Sequence, residues 1–156
     1  MAPLSDLKDN PLFKALSKEE IDSVIPIFTE KRMSAGGTVF VENMPGESLY
    51  LVRQGTIKIS KMVAEGQEKI LVVLGADDIF GDLAIFDGAI RATTARVAED
   101  AVLLKVTRES FDRFCRDNPA LGIKIMRNII MEFCRRLRET EQETKKILSH
   151  LLEVVD

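Results

Sequence analysis

The sequence predicts a mainly β domain with flanking helices: an antiparallel β-roll of jelly-roll type, followed by one long C-terminal helix. Three observations carry this. Eight of the nine glycines fall between Gly36 and Gly88, so the turns are concentrated in the middle of the chain. Within that middle, short runs of β-branched and aromatic residues recur at intervals of about 8 to 14 residues, the rhythm of a sandwich or barrel. From Ala120 to Val155 there is no proline, the single glycine is Gly122, and apolar residues recur at helical spacing.

With 156 residues, 46% of them hydrophobic and 30% charged, the chain has the size and composition of one globular domain. The expected division is a β-roll with short helices over 1–118 and a long helix over 119–156 that belongs to the same domain.

Taken in order, Ser17-Lys18-Glu19-Glu20 has the form of a capping box and opens a short helix through Ile21, Val24 and Ile25, which Pro26 ends. Strands follow at Thr38–Val41, Ser48–Val52, Thr56–Val63, Ile70–Leu74, Thr93–Val97 and Val102–Val106. Thr56 to Lys61 alternates apolar with polar residues, and Ala64-Glu65-Gly66-Gln67 makes a hairpin tip, so one face of that hairpin is expected to meet water. Thr107 caps a helix running to Asp117, and Asn118-Pro119 starts the last one, with proline where no donor is lost.

In that last helix Met126, Ile130, Phe133, Leu137, Thr140, Thr144, Ile147, Leu151 and Val154 alternate steps of four and three, a heptad seam interrupted by two threonines. A helix of about 35 residues reaches about 50 Å, longer than so small a domain is wide. Part of the seam is therefore expected to pair with a second copy in a parallel coiled coil.

Composition excludes several functions. Lys plus Arg is 22 against 25 Asp plus Glu, a formal charge of -3 with no run of five like charges, which argues against a dedicated nucleic-acid binder. The apolar runs are strand-sized and the N-terminus lacks the pattern of a secretory signal, so a soluble cytoplasmic protein is expected, without a membrane partner. The single histidine, His150, and two widely spaced cysteines, Cys115 and Cys134, leave no imidazole for a triad and no ligand set for a metal. Neither an enzyme nor a metal centre is expected, and a cupin-type enzyme would need clustered histidines inside the roll.

The informative stretch runs from Ile79 to Thr94. A strand ends at Gly81, a helical turn follows through Leu83, Ala84, Ile85 and Phe86, and Gly88 reverses the chain toward Arg91. Free N–H groups at the start of the turn favour an anion, and the Arg91 guanidinium can offer two prongs to phosphate oxygens. Asp82 is an acceptor suited to a sugar hydroxyl. Ala92 and Thr93 are small enough for their backbone amides to approach a ligand.

Phe80-Gly81-Asp82-Leu83-Ala84 and Ile90-Arg91-Ala92-Thr93-Thr94, in this order, resemble the phosphate-binding cassette of the cyclic nucleotide-binding domain family. Pro45 to Val52 with Gly55-Thr56-Ile57, and the Asn118-Pro119 helix start, extend the likeness over roughly residues 12 to 140. The overall build is similar to that of the cyclic-AMP-receptor and fumarate-nitrate-regulator group, without a DNA-binding domain in the sequence read here.

This resemblance implies a cyclic nucleotide, most simply cAMP, inside the roll. Gly81, Leu83, Ala84, Arg91, Ala92 and Thr93 would hold the phosphate and Asp82 the ribose 2′-hydroxyl. In such regulators polar residues just after an Arg-Arg-Leu stretch reach the base, which here gives Thr140 and Glu141 after Arg135-Arg136-Leu137. Ala92 stands where a threonine accompanies cGMP preference.

Two positions depart from the family pattern. Asp82 replaces the usual glutamate and ends about 1.5 Å short, and Ile90 replaces a proline. The implied function is a dimeric sensor that signals to a separate, unidentified protein without contacting DNA. The alternative is the same fold with an empty or repurposed pocket, acting as a dimeric interaction protein.

Overall fold

A computed structural model describes residues 7–155, and the side chain of Leu83 lies outside the described set. Helix α1 (Lys18–Val24) begins with the expected capping box: Ser17 Oγ accepts from the Glu20 N–H, and Glu20 Oε1 accepts from the Ser17 N–H. Pro26 sits in the 3-10 turn Ile25–Ile27 that ends the helix.

Six strands follow: β1 (Thr29–Met33), β2 (Thr38–Phe40), β3 (Ser48–Ala64), β4 (Gln67–Leu74), β5 (Ile79–Phe80) and β6 (Thr94–Thr107). They form one antiparallel sheet in the order β1-β6-β3-β4, with β2 beside β6 and β5 beside β3.

The expected strands Ser48–Val52 and Thr56–Val63 are one strand, and so are Thr93–Val97 and Val102–Val106. Chain reversals are absent at those breaks because register shifts absorb the extra residues where β3 passes β6. The hairpin also departs from expectation. Its tip is at Glu65 and Gly66, but β4 is exposed on both faces up to Leu74, with Ile70, Leu71, Val72 and Val73 all open to solvent. As an edge strand beyond the roll, β4 has no second layer over its tip half.

The core has two parts. One packs the N-terminal turns, Leu49, Leu51, Leu104 and Val106 against the following helices; the other, within the roll, gathers Tyr50, Val52, Ile57, Phe80 and Leu103. Helix α2 (Asp82–Asp87) lies between β5 and β6. Helix α3 (Arg108–Asp117) is capped by the Thr107 hydroxyl, which accepts from the Ser110 N–H.

Helix α4 (Pro119–Val155) buries only its first turns, through Gly122, Ile125, Asn128 and Ile129. Asn128 ties it to the N-terminal segment by donating to the carbonyls of Leu12 and Lys14 at 2.9 and 2.8 Å. The residues that cover the chain's own core are thus not the heptad seam. Met126 is partly buried, whereas Ile130, Phe133, Leu137, Ile147, Leu151 and Val154 are exposed along the helix.

Candidate functional site

The loop between α2 and β6 is shaped by its contacts with the loop before β3. The Asn43 N–H donates to the Arg91 carbonyl, the Arg91 N–H to the Met44 carbonyl and the Gly46 N–H to the Ala89 carbonyl. These bonds fix the backbone of Arg91 and turn its side chain inward, leaving only 7% of the residue exposed. There Nη2 donates to the Ser48 carbonyl at 2.9 Å and Nη1 to the Gly81 carbonyl at 3.1 Å. The guanidinium lies 4.1 Å over the centre of the Phe40 ring. Phe40 is one of a group of three rings with Tyr50 and Phe80, the latter two stacked at 5.1 Å.

Two glycines make room for this side chain. A Cβ on Gly46 would stand 2.4 Å from Arg91 Nε, and one on Gly81 would stand 2.8 Å from Nη1. Gly81 also has φ +72°, left-handed backbone that a side chain would strain, and it is the residue that caps α2.

Among the described residues Arg91 has no carboxylate within ion-pair distance, and its Nε has no partner. Burial pushes its pKa below the ordinary value, while Tyr50 and Asp82 act the other way. A guanidinium stays charged under such a shift. The result is a buried positive charge, fixed in direction, facing a cavity of about 640 Å³.

The cavity brings together Gly81, Asp82, Ala84, Arg91, Ala92 and Thr93, six of the residues expected at the cassette. Leu83 is in α2 by its backbone, and its side chain lies outside the described residues. Phe133, Arg135, Arg136 and Glu139 of α4 form the opposite wall, with Val72 and Val73 of β4 at one side.

Thr140 and Glu141, expected at the base, are not among the residues that line this cavity in the single chain. They sit on another part of the α4 surface, and the Thr140 hydroxyl donates to the Arg136 carbonyl one turn back.

The contact that local sequence signals missed is between Asp82 and Arg136. Asp82 is 5% exposed, and its Oδ2 accepts from Arg136 Nη2 at 2.6 Å, a charge-assisted bond between α2 and α4. Arginine has the reach to meet the shorter acid. The neighbouring Arg135 is held by Glu132 and Glu139 at 2.8 and 2.7 Å. Among the described residues no group of three or more His, Cys, Asp or Glu could hold a metal, and no helix is long and apolar enough to cross a membrane.

A roll that aims a buried arginine and a nearby carboxylate into one cavity defines a receptor domain for a small ligand bearing an anion and hydroxyls. Residues 30–118 match the model of the cyclic nucleotide-binding domain, and the chain belongs to that family.

It is 31% identical to the cyclic AMP receptor protein of Thermus thermophilus over 88% of this chain and 62% of that protein. A CRP-like cAMP-activated global transcriptional regulator of Mycobacterium tuberculosis is 30% identical over 72% of this chain and 49% of the relative. Among solved structures, the Thermus thermophilus catabolite activator protein superposes with a TM-score of 0.78 at 31% identity, covering 88% of this chain and 62% of its own. The chain thus spans one half to three fifths of these two relatives.

Arg91 also ties together parts of the fold, through two carbonyls and the Phe40 ring. Truncation would remove the side-chain donor to the Ser48 and Gly81 carbonyls and leave a space beside Phe40. Arg91→Ala should therefore lose about 1 to 3 kcal/mol of stability without ligand, measured by urea denaturation.

Proposed function

We propose that this chain is a cyclic-nucleotide sensor, with cAMP as its ligand, that works as a homodimer in the cytoplasm and passes its state to a separate protein. The observation that carries the reading is the buried Arg91 guanidinium, held by two carbonyls and a ring and left without a carboxylate.

Among the described residues that line the cavity, Arg135 and Arg136 are ion-paired with Glu132, Glu139 and Asp82, whereas Arg91 has no acid within ion-pair distance. The fixed direction of this one guanidinium suits one anionic group. A cyclic mononucleotide carries one, and a cyclic dinucleotide carries two.

The phosphate would take Arg91 and the backbone amides of Gly81, Leu83, Ala84, Ala92 and Thr93. Asp82 would accept from the ribose 2′-hydroxyl while Arg136 holds its other oxygen side, which gives the ligand a direct line to α4. The base would then lie toward Phe133 and the exposed side of β4, and Ala92, lacking a hydroxyl, favours cAMP over cGMP. The names of the Thermus and Mycobacterium relatives support the same ligand. The role is binding, not catalysis, and these residues are not assigned to DNA contact.

The second copy is called for by α4. Leu137 is 51% and Ile147 62% exposed on either side of the two seam threonines, on a face that the roll does not cover.

Calorimetric titration with cAMP, cGMP and cyclic di-GMP tests the ligand. The expected result is one site per chain, filled most tightly by cAMP and least by the dinucleotide. Tenfold tighter cGMP would overturn the base preference, and no binding by any of the three would leave the fold with a repurposed pocket.

Light scattering tests the dimer. Leu137→Glu combined with Ile147→Glu buries like charges in the seam without touching the roll, so it should yield monomers. A double variant that stays dimeric contradicts the coiled coil.

A further inference from the structure

A second groove, of about 950 Å³, runs between the segment 8–15 and the stretch of α4 from Asn128 to Gln142. It is built firmly. Asn128, 7% exposed, clamps the Leu12 and Lys14 carbonyls onto α4. Asn10, 1% exposed, accepts from the Leu12 N–H and donates to the Asp77 side chain at 3.0 Å. Ala15, in its lining, holds left-handed backbone, φ +65°. A trough so fixed loses little freedom when something enters it.

Its lining is apolar at Pro11, Ala15 and Met131 and otherwise largely charged. The carboxylates of Glu132 and Glu139 are already engaged by Arg135. Among the described residues the side chains of Lys8, Lys14 and Arg138 have no ion-pair or hydrogen-bond partner, and Asp9 is the one carboxylate there likewise free. Three free cations against one free acid, beside one arginine shared by two glutamates, leave a net excess of one positive charge in the groove of a chain whose formal charge is -3.

The α4 wall of the groove, residues 128 to 142, is about 20 Å long at 1.5 Å per residue, the length of a helix of about fourteen residues. At about 100° per residue, Met131, Arg138 and Gln142 lie roughly 80 to 140° around α4 from Ile130 and Leu137, so pairing through the seam leaves most of the groove open.

We propose that this groove docks an acidic helical segment of a partner protein, its carboxylates on Lys8, Lys14 and Arg138 and an apolar side chain against Pro11 and Met131. The proposal does not rest on the nucleotide reading. The two sites nevertheless share a wall, because Arg135 and Glu139 border both cavities. A nucleic acid is disfavoured, since three separated cations do not make the unbroken basic track that a phosphate backbone needs.

The test uses the full chain and a fluorescein-labelled, fourteen-residue helical peptide of glutamates with leucines at every third or fourth position. Anisotropy should show binding that weakens as salt rises. Lys14→Glu combined with Arg138→Glu should weaken it at least tenfold with no change in melting temperature, and Lys14→Ala with Arg138→Ala should weaken it less. Amide shifts in a nitrogen-15 spectrum should cluster at residues 8–15 and 128–142. The proposal is overturned if a lysine-leucine peptide of equal length binds as well, if charge reversal changes nothing, if a single-stranded oligonucleotide binds more tightly, or if no binding occurs up to about 1 mM, a level that corresponds to about 4 kcal/mol.

Discussion

A buried guanidinium without a carboxylate is the constraint on which the rest of the structure turns. Removing a charge from water is unfavourable unless other groups replace the lost hydration. Arg91 finds two carbonyl oxygens and the face of Phe40, which orient it without cancelling its charge. Gly46 and Gly81 leave the space it occupies, and three backbone bonds across the 43–46 loop keep its own backbone in place. The roll therefore holds an arginine whose remaining attraction is directed at the cavity. An anion placed there meets donors already in position, so binding need not reorganise the protein first.

The second feature is the way α4 closes that cavity. Its first turns are anchored in the core by Ile125, Asn128 and Ile129. Beyond them the contact of α4 with the cassette runs through polar groups, above all the Arg136 bond to Asp82. Such a bond is strong in place but can exchange for another acceptor or donor, whereas a packed apolar contact can only open or close. On the proposed reading, a ligand hydroxyl that joined the Asp82 hydrogen bonds would act on Arg136 and so on the helix. The same turns of α4 carry the exposed seam on one side and the charged groove on another. Ligand, second copy and partner would thus all act on one helix.

Much of this was legible in the sequence, for reasons that differ by element. The capping box at Ser17, the Thr107 cap and the Pro119 helix start are local chemistry, set by residues three or four apart. That Gly81, Asp82, Ala84, Arg91, Ala92 and Thr93 share one cavity was legible in their order along the chain, which resembles the family's pattern. The continuity of β3 through Gly55 was hidden, because a glycine in a strand looks like a turn until β6 is there to pair with both sides. The exposure of β4 was hidden because its Ile-Leu-Val-Val run has the composition of a buried strand. No local signal joins Asp82 to Arg136, which are brought together only by the packing of α4 on the roll.

The central claim is that Arg91 is held in reserve for the phosphate of a cyclic nucleotide, and the response of the melting temperature to cAMP tests it most directly in the wild type and in Arg91→Ala. Loss of one partner of a buried charge-assisted pair lowers affinity by about 2 to 5 kcal/mol, or roughly 30-fold to several-thousandfold. Compared each with its own ligand-free state, the wild type should be raised by cAMP and the variant left where it was. An equal rise in both proteins would place the phosphate elsewhere and contradict the account.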